Sequence, residues 1–169
     1  MAIVELRGAD LTGADLRSAI LVAVDLRDAI LVGANLSEAS LTTFGLAPFE
    51  EPLTAIEESL LHWYATSSDL QDADLTDAIM RGADLTGAFM ARTILTNADL
   101  SGAIMREVRL MNATLTGTNL TNSDLTFANL RGADLTGADL SGATLTNVDL
   151  DAAILCRTLT SEGMRNDDC

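Results

Sequence analysis

The chain has 169 residues with no lysine, ten arginines and 25 acidic residues, for a net charge of −15; 48% of it is apolar but only 4% aromatic. That charge repels a phosphate backbone and argues against direct nucleic-acid binding, and no apolar run reaches the roughly 18 residues of a membrane-spanning helix. A single histidine rules out paired-imidazole catalysis and most histidine-based metal sites, and the two cysteines lack the spacing of a zinc site.

Leucine recurs every five residues from Leu6 through Leu11 and Leu16 to Leu41. The period resumes at Leu70 and runs to Leu155, with Met80, Met90 and Met105 in three places, making 26 centres. Two residues before each centre sits a small residue, Ala at 18 of the 26 (Ala9, Ala83, Ala133) and Val, Ser or Thr elsewhere. Asp or Asn often precedes the centre (Asp10, Asp15, Asn129, Asp134), and Gly often stands two after it (Gly13, Gly82, Gly117, Gly137). A period of five fits neither helix nor strand. It reads as a repeat in which each pentapeptide makes one side of a square coil. The centre and the small residue point inward and the other three face solvent. Gly and Asn suit the turns.

This pattern, as in GADLTGADLSGA from Gly132 to Ala143, resembles the pentapeptide repeat family, whose motif is A-[D/N]-L-x-x, and looks most like its cyanobacterial members. The resemblance covers roughly residues 4–41 and 68–157. It implies one all-β solenoid domain over residues 1–169, a right-handed quadrilateral β-helix with repeats at 4–43 and 68–157. At four repeats per coil and ~4.8 Å between coils, the tower has about 6.5 coils and stands about 31 Å tall. Each coil buries its face only by stacking on the next.

Leu41 and Leu70 are 29 residues apart, not a multiple of five, so residues 44–67 leave the tower and return. Residues 52–65 predict an amphipathic helix: Pro52 suits a first turn, Glu50 and Glu51 suit an N-terminus, and Leu53, Ile56, Leu60 and Tyr64 fall at helical spacing. Trp63 lies there too, and His62 reads as a packing or surface residue. Where the motif places a polar residue, this chain has Ile20, Ile30, Ile79, Phe89, Ile94, Ile104 and Ile154. The expectation is that the insertion folds back over some of Ile79, Phe89, Ile94 and Ile104; the alternative is a free arm awaiting a partner.

Cys156 follows the last centre and Cys169 ends the chain. A disulfide between them would pin residues 158–169 as a cap over an open backbone edge, and closing that loop stabilises by roughly 3 kcal/mol on the chain-entropy estimate. Two reduced thiols are the alternative. Residues 160–165 read as one helical turn with Thr160 or Ser161 as its cap. Thr76, Thr96, Thr116 and Thr136, evenly spaced, predict one vertical column.

With no basic start before an apolar stretch, the chain reads as cytoplasmic; a formed disulfide points instead to a processed fragment in the periplasm or thylakoid lumen. The repeat itself demands the Asp before each centre, and the glycines lack a strand-to-helix phosphate loop. The reading is therefore not an enzyme and involves no cofactor or metal. It is a scaffold that binds an unidentified protein partner through its outer faces or insertion, without membrane contact, as a monomer or a weak end-to-end homodimer through the first coil. The family implies an alternative, a DNA-mimic inhibitor or protector of DNA gyrase or another topoisomerase. Outside the insertion and residues 157–169, 18 acids and eight arginines remain. That is one net charge per ~3 Å of tower against one per ~1.7 Å of duplex DNA, so the mimicry is partial. It would also require a continuous acidic stripe on one face.

Overall fold

The computed structural model describes residues 4–21, 24–41, 68–167 and 169. One pentapeptide shows how the coil closes. Around Leu75, the Asp74 N–H donates to Ala29 O in the coil before, while the Leu75 and Asp77 N–H groups donate to Ile94 O and Thr96 O in the coil after. The Ala78 N–H turns back onto Leu75 O. The fifth N–H, that of Thr76, donates to Oδ1 of Asp74 at 3.0 Å. Every backbone donor of the repeat is thereby satisfied, as a packed backbone requires. The Asp or Asn before the centre is thus an Asx turn that finishes the corner; Asp10, Asn35, Asp84, Asn119 and Asp139 do the same.

The residue two after the centre is left-handed, at φ 66° in Gly13, 57° in Asp77 and 56° in Asn97. The same sign of φ is needed at the third residue of a type II turn. This explains the glycines of that column, and Asn and Asp tolerate the conformation nearly as well.

Strand β1 (Val4–Glu5) pairs in parallel with β2 (Val24–Asp25), and beyond them the coils are joined by isolated parallel bridges. Asp10 bridges Ile30, Asp74 bridges Ile94 and Thr114 bridges Asp134, a step of 20 residues each time, so four pentapeptides complete a turn. The bridges define four sides. Side one carries Glu5, Asp25, Asp69, Phe89, Arg109 and Asn129 in order. Side two carries Asp10, Ile30, Asp74, Ile94, Thr114, Asp134 and Ile154. Side three runs Asp15, Asn35, Ile79, Asp99, Asn119, Asp139, Leu159, and side four Ile20, Ser40, Asp84, Ile104, Asp124, Thr144. Between Asp25 and Asp69, and between Ser40 and Asp84, the step is 44, so 24 residues are inserted without disturbing the four-sided register. The helix expected at about 52–65 lies outside the described residues.

The centres from Leu26 to Leu140 fill the bore and are fully buried, with the small column beside them. Each such Leu or Met contributes roughly 1.5–3 kcal/mol. Where the small residue is polar its hydroxyl is satisfied: Thr93 Oγ1 donates to Leu70 O at 2.8 Å and Thr118 Oγ1 to Leu95 O at 2.7 Å.

The two ends differ. Leu6, Leu11, Leu16 and Leu21 of the first coil are only partly buried. At the other end a short 3-10 helix, Leu150–Ala152, precedes β3 (Thr158–Thr160), which pairs antiparallel with β4 (Gly163–Arg165). This hairpin replaces the helical turn expected at residues 160–165. Thr158 and Thr160 fall in the small and centre columns and Leu159 bridges Asp139, so the repeat continues for one more pentapeptide with Thr in place of Leu. Thr160 Oγ1 then donates to Gly163 O at 3.0 Å, and Gly163, at φ 122°, lets the chain reverse. Cys156 and Cys169 are joined as a disulfide, with Cα atoms 5.0 Å apart. Leu145 and Leu150 stay partly exposed, so the tail covers only part of the last coil.

Candidate interaction surfaces

The outward apolar residues singled out in the sequence stand on different sides: Phe89 on side one, Ile94 on side two, Ile79 on side three and Ile104 on side four. They form no common surface, and one helix cannot cover all four. Ile79, Ile94 and Ile104 are 37–40% exposed. Leu53, Ile56, Leu60, Trp63 and Tyr64, the other half of the expected contact, lie outside the described residues. Ile20, at 83% exposure, is the most open of the described large apolar side chains.

Carboxylates and arginines decorate the corners in local pairs. Arg17 reaches back to Asp15 at 2.7 Å, Arg27 holds Asp25 at 2.5 Å, and Arg92 and Arg106 cross between coils to Asp72 and Asp124, each at 2.6 Å. The Arg17 guanidinium and backbone N–H hold the Asp15 carboxyl down at about 2. Arg27 lowers Asp25 and Arg92 lowers Asp72 by the same kind of hydrogen bond, while Asp124 is lowered first by the Thr126 hydroxyl and then by Arg106. These shifts arise from stabilised carboxylates at the surface; none marks a carboxyl kept neutral for acid catalysis. Among the described residues no cluster of His, Cys, Asp or Glu is arranged to hold a metal, and no helix is long and apolar enough to cross a membrane.

Thr76, Thr96, Thr116 and Thr136 do form a column on side two, their backbone carbonyls each accepting from the coil before. The Thr76 hydroxyl donates within its own repeat, to Asp74 at 2.6 Å, while the Thr116 hydroxyl donates to Asp134 of the next coil at 3.4 Å. Cys156 stands at the end of the same column, its carbonyl accepting from Gly137.

Two features of side one were not legible as a site in the sequence. Arg109 lies over the ring of Phe89, 4.1 Å from its centroid, within cation–π range. Phe127 occupies a left-handed corner at φ 60° and is 58% exposed. Among the thirteen non-glycine left-handed corners of the described residues, the others are Ser, Asp, Glu, Asn or Arg, so this Phe departs from them in both polarity and shape. The departure itself is visible in the sequence once the corner column is recognised.

The family model for pentapeptide repeats matches in eight copies, over residues 5–42, 65–97, 93–126 and 123–159. A pentapeptide repeat protein from the thylakoid lumen of Arabidopsis thaliana aligns at 28% identity with a TM-score of 0.55, over 70% of this chain and 66% of that one. The chain therefore spans about two thirds of the length of that protein. HetL, involved in heterocyst differentiation regulation in the cyanobacterium Nostoc, aligns at 26% identity with a TM-score of 0.43, over 95% of this chain and 86% of its own. Rfr23 from the cyanobacterium Cyanothece aligns at 26% with a TM-score of 0.41, over 84% and 80%. A search of the curated proteins found no match. With its inward Leu and Ala columns, Asx-closed corners and 20-residue bridge step matched by the family model over most of its length, this chain belongs to the pentapeptide repeat family and folds as a β-helix.

Proposed function

We propose that this protein is a non-enzymatic scaffold, a right-handed tower of about 6.5 coils at four repeats each, whose outer surface binds another protein. The observation that supports it is the division of labour on the sides. The ladder Asp and Asn residues are spent on closing corners, while large apolar side chains such as Ile20 and Phe127 are left in solvent at 83% and 58% exposure. Such side chains are available to a protein contact. A pull-down from source-cell extract with the intact protein, and with a variant lacking residues 45–66, tests it. Capture of a defined stoichiometric partner supports the scaffold; a protein that retains nothing in either form, at cellular concentration, would falsify it.

The DNA-mimic alternative needs an unbroken acidic stripe. On side two acids alternate with Ile30, Ile94 and Ile154, and sides one, three and four are interrupted by Phe89, Ile79 and Ile104. Many of the remaining carboxylates are paired with arginine. This arrangement favours the scaffold reading over gyrase or topoisomerase inhibition.

The disulfide supports an oxidising compartment, periplasm or thylakoid lumen, and the lumenal origin of the Arabidopsis relative is compatible with that. Trapping free thiols in intact source cells tests the assignment: Cys156 and Cys169 labelled as thiols would place the protein in a reducing compartment instead. The first coil, with Leu6, Leu11, Leu16 and Leu21 partly open, is the surface for a weak end-to-end homodimer.

A further inference from the structure

On three of the four sides the ladder never runs more than two consecutive coils without a carboxylate. Side one does: Phe89, Arg109 and Asn129 follow one another, with Asp69 only at the coil before. The flanking corners keep to the same chemistry. Met111, 37% exposed, follows the centre in the Arg109 coil, and Arg131, exposed, stands directly after it in the next coil, where its carbonyl accepts from Asn112. On the opposite corner Phe127 projects with 58% exposure, next to Glu107 of the coil before. Among the described residues no ion pair engages Arg131, whereas Arg7, Arg17, Arg27, Arg81, Arg92, Arg106 and Arg165 are each paired with a carboxylate.

We infer that this patch, Phe89, Arg109, Met111, Phe127 and Arg131, is the protein-binding site, and that it takes an acidic segment of a partner protein carrying an apolar side chain. The inference rests on the scaffold reading and gives it a face and a partner chemistry. Aromatic residues, Met and Arg are the types enriched at interface centres, and Asp and Glu are depleted there. The patch has that composition on a chain whose net charge is −15. Arg131, exposed and engaged by no ion pair among the described residues, presents a planar fork that matches a carboxylate, so its charge selects acidic partners, and the exposed Phe127 and Met111 receive the apolar side chain.

Phe127 supplies the second, independent observation. A left-handed backbone strains a bulky residue, and an exposed ring gains nothing for the fold. The other residues of the same corner column, Gly87, Glu107 and Asn147, are glycine or polar, as is every other left-handed corner among the described residues.

The test uses short fluorescent peptides in which a central Leu or Phe is flanked by Asp and Glu, with a matched set in which every acid is Lys. Binding to the full chain is measured by anisotropy. The acidic set is expected to bind at least about tenfold more tightly than the Lys set, and Phe127→Asn to weaken it by at least about tenfold while raising the thermal midpoint. Ile20→Asn, on another side, is expected to leave binding unchanged. Equal binding of both sets, no binding, or acidic binding insensitive to Phe127→Asn overturns the assignment. The last of these outcomes leaves the scaffold reading standing on a different face. Sedimentation showing a dimer that Phe127→Asn dissolves gives the patch to a second copy, and a photo-crosslink from position 127 to residues 45–66 gives it to the chain's own insertion; either overturns the proposal.

Discussion

A Cβ built on Gly117 would stand 2.7 Å from Oδ1 of Asn97, which occupies the same corner one coil earlier. Both residues are left-handed, at φ 68° and 56°, and the Asn97 amide in turn donates to Asp77 below it at 3.3 Å. The corner column is thus a stack in which a polar side chain lies over a glycine.

Gly117→Ala is expected to destabilise more than Gly102→Ala. Both introduce a left-handed Ala at about 1–2 kcal/mol, but Gly102 has open space around its Cβ position while Gly117 has Asn97. In an Asn97→Gly background the two substitutions should cost the same, because the coupling has been removed. Urea denaturation midpoints of the six proteins, the two parents and both substitutions in each, check this, and equal costs in the native background would refute the stacking.

Asp74→Ala removes the acceptor of the Thr76 N–H and should destabilise by about 1 kcal/mol. Asp74→Asn should be nearly neutral, because Asn35 and Asn119 already close corners in the same way. Comparable losses in both variants would mean that charge, not the Asx turn, is what the column needs.

Acid should weaken the tower. The carboxyls of Asp15, Asp25, Asp72 and Asp124 are held below their ordinary values, Asp15 at about 2. A depressed folded value stabilises above the unfolded value of about 3.9 and is lost as pH falls through the folded one. Stability should therefore be flat near neutrality and decline between about pH 4 and pH 2. Denaturation curves across that window check it; stability that rises on acidification would show that relief of the net −15 charge dominates.

Cutting the Cys156–Cys169 bond should free the tail locally. The chain-entropy estimate sets the loss at roughly 3 kcal/mol. Because contacts between coils are nearest-neighbour, Cys169→Ser should speed amide exchange in β3 and β4 and leave the coils around Leu75 protected. Equal acceleration along the whole chain would argue that the tail governs global unfolding.

Leu11→Asp should abolish self-association. Leu11 is partly buried at the open first coil, and the described residues 4–21 carry three acids and two arginines, so repulsion between two such ends is small. A wild-type protein that sediments as a monomer at the highest attainable concentration would remove the end-to-end contact.

The columns of Leu, Ala and Asp were readable because an exact period places every fifth side chain in one environment. The purpose of the Asp was not. The repeat demands it at a solvent-facing position without saying why, and only the hydrogen bond from the Thr76 N–H to Asp74 shows that it completes the backbone count. The last pentapeptide was hidden for a related reason: Thr160 breaks the Leu column, and a short polar segment after a repeat reads locally as a capped turn.

Sequence by itself determined the repeat, its inward columns and the place of the insertion, since all three follow from periodicity and from which residues fit a narrow bore; four repeats per coil was what the family resemblance implied, and the 20-residue bridge step shows it. Tertiary structure decided which residues become neighbours across coils. The stack of Arg109 on Phe89, the placement of Ile79, Phe89, Ile94 and Ile104 on four separate sides, and the carboxylate-free run on side one depend on the 20-residue step and on the 44-residue step across the insertion. Contacts between outward side chains arise only when one coil is laid on the next, and the pattern within a single pentapeptide does not contain them.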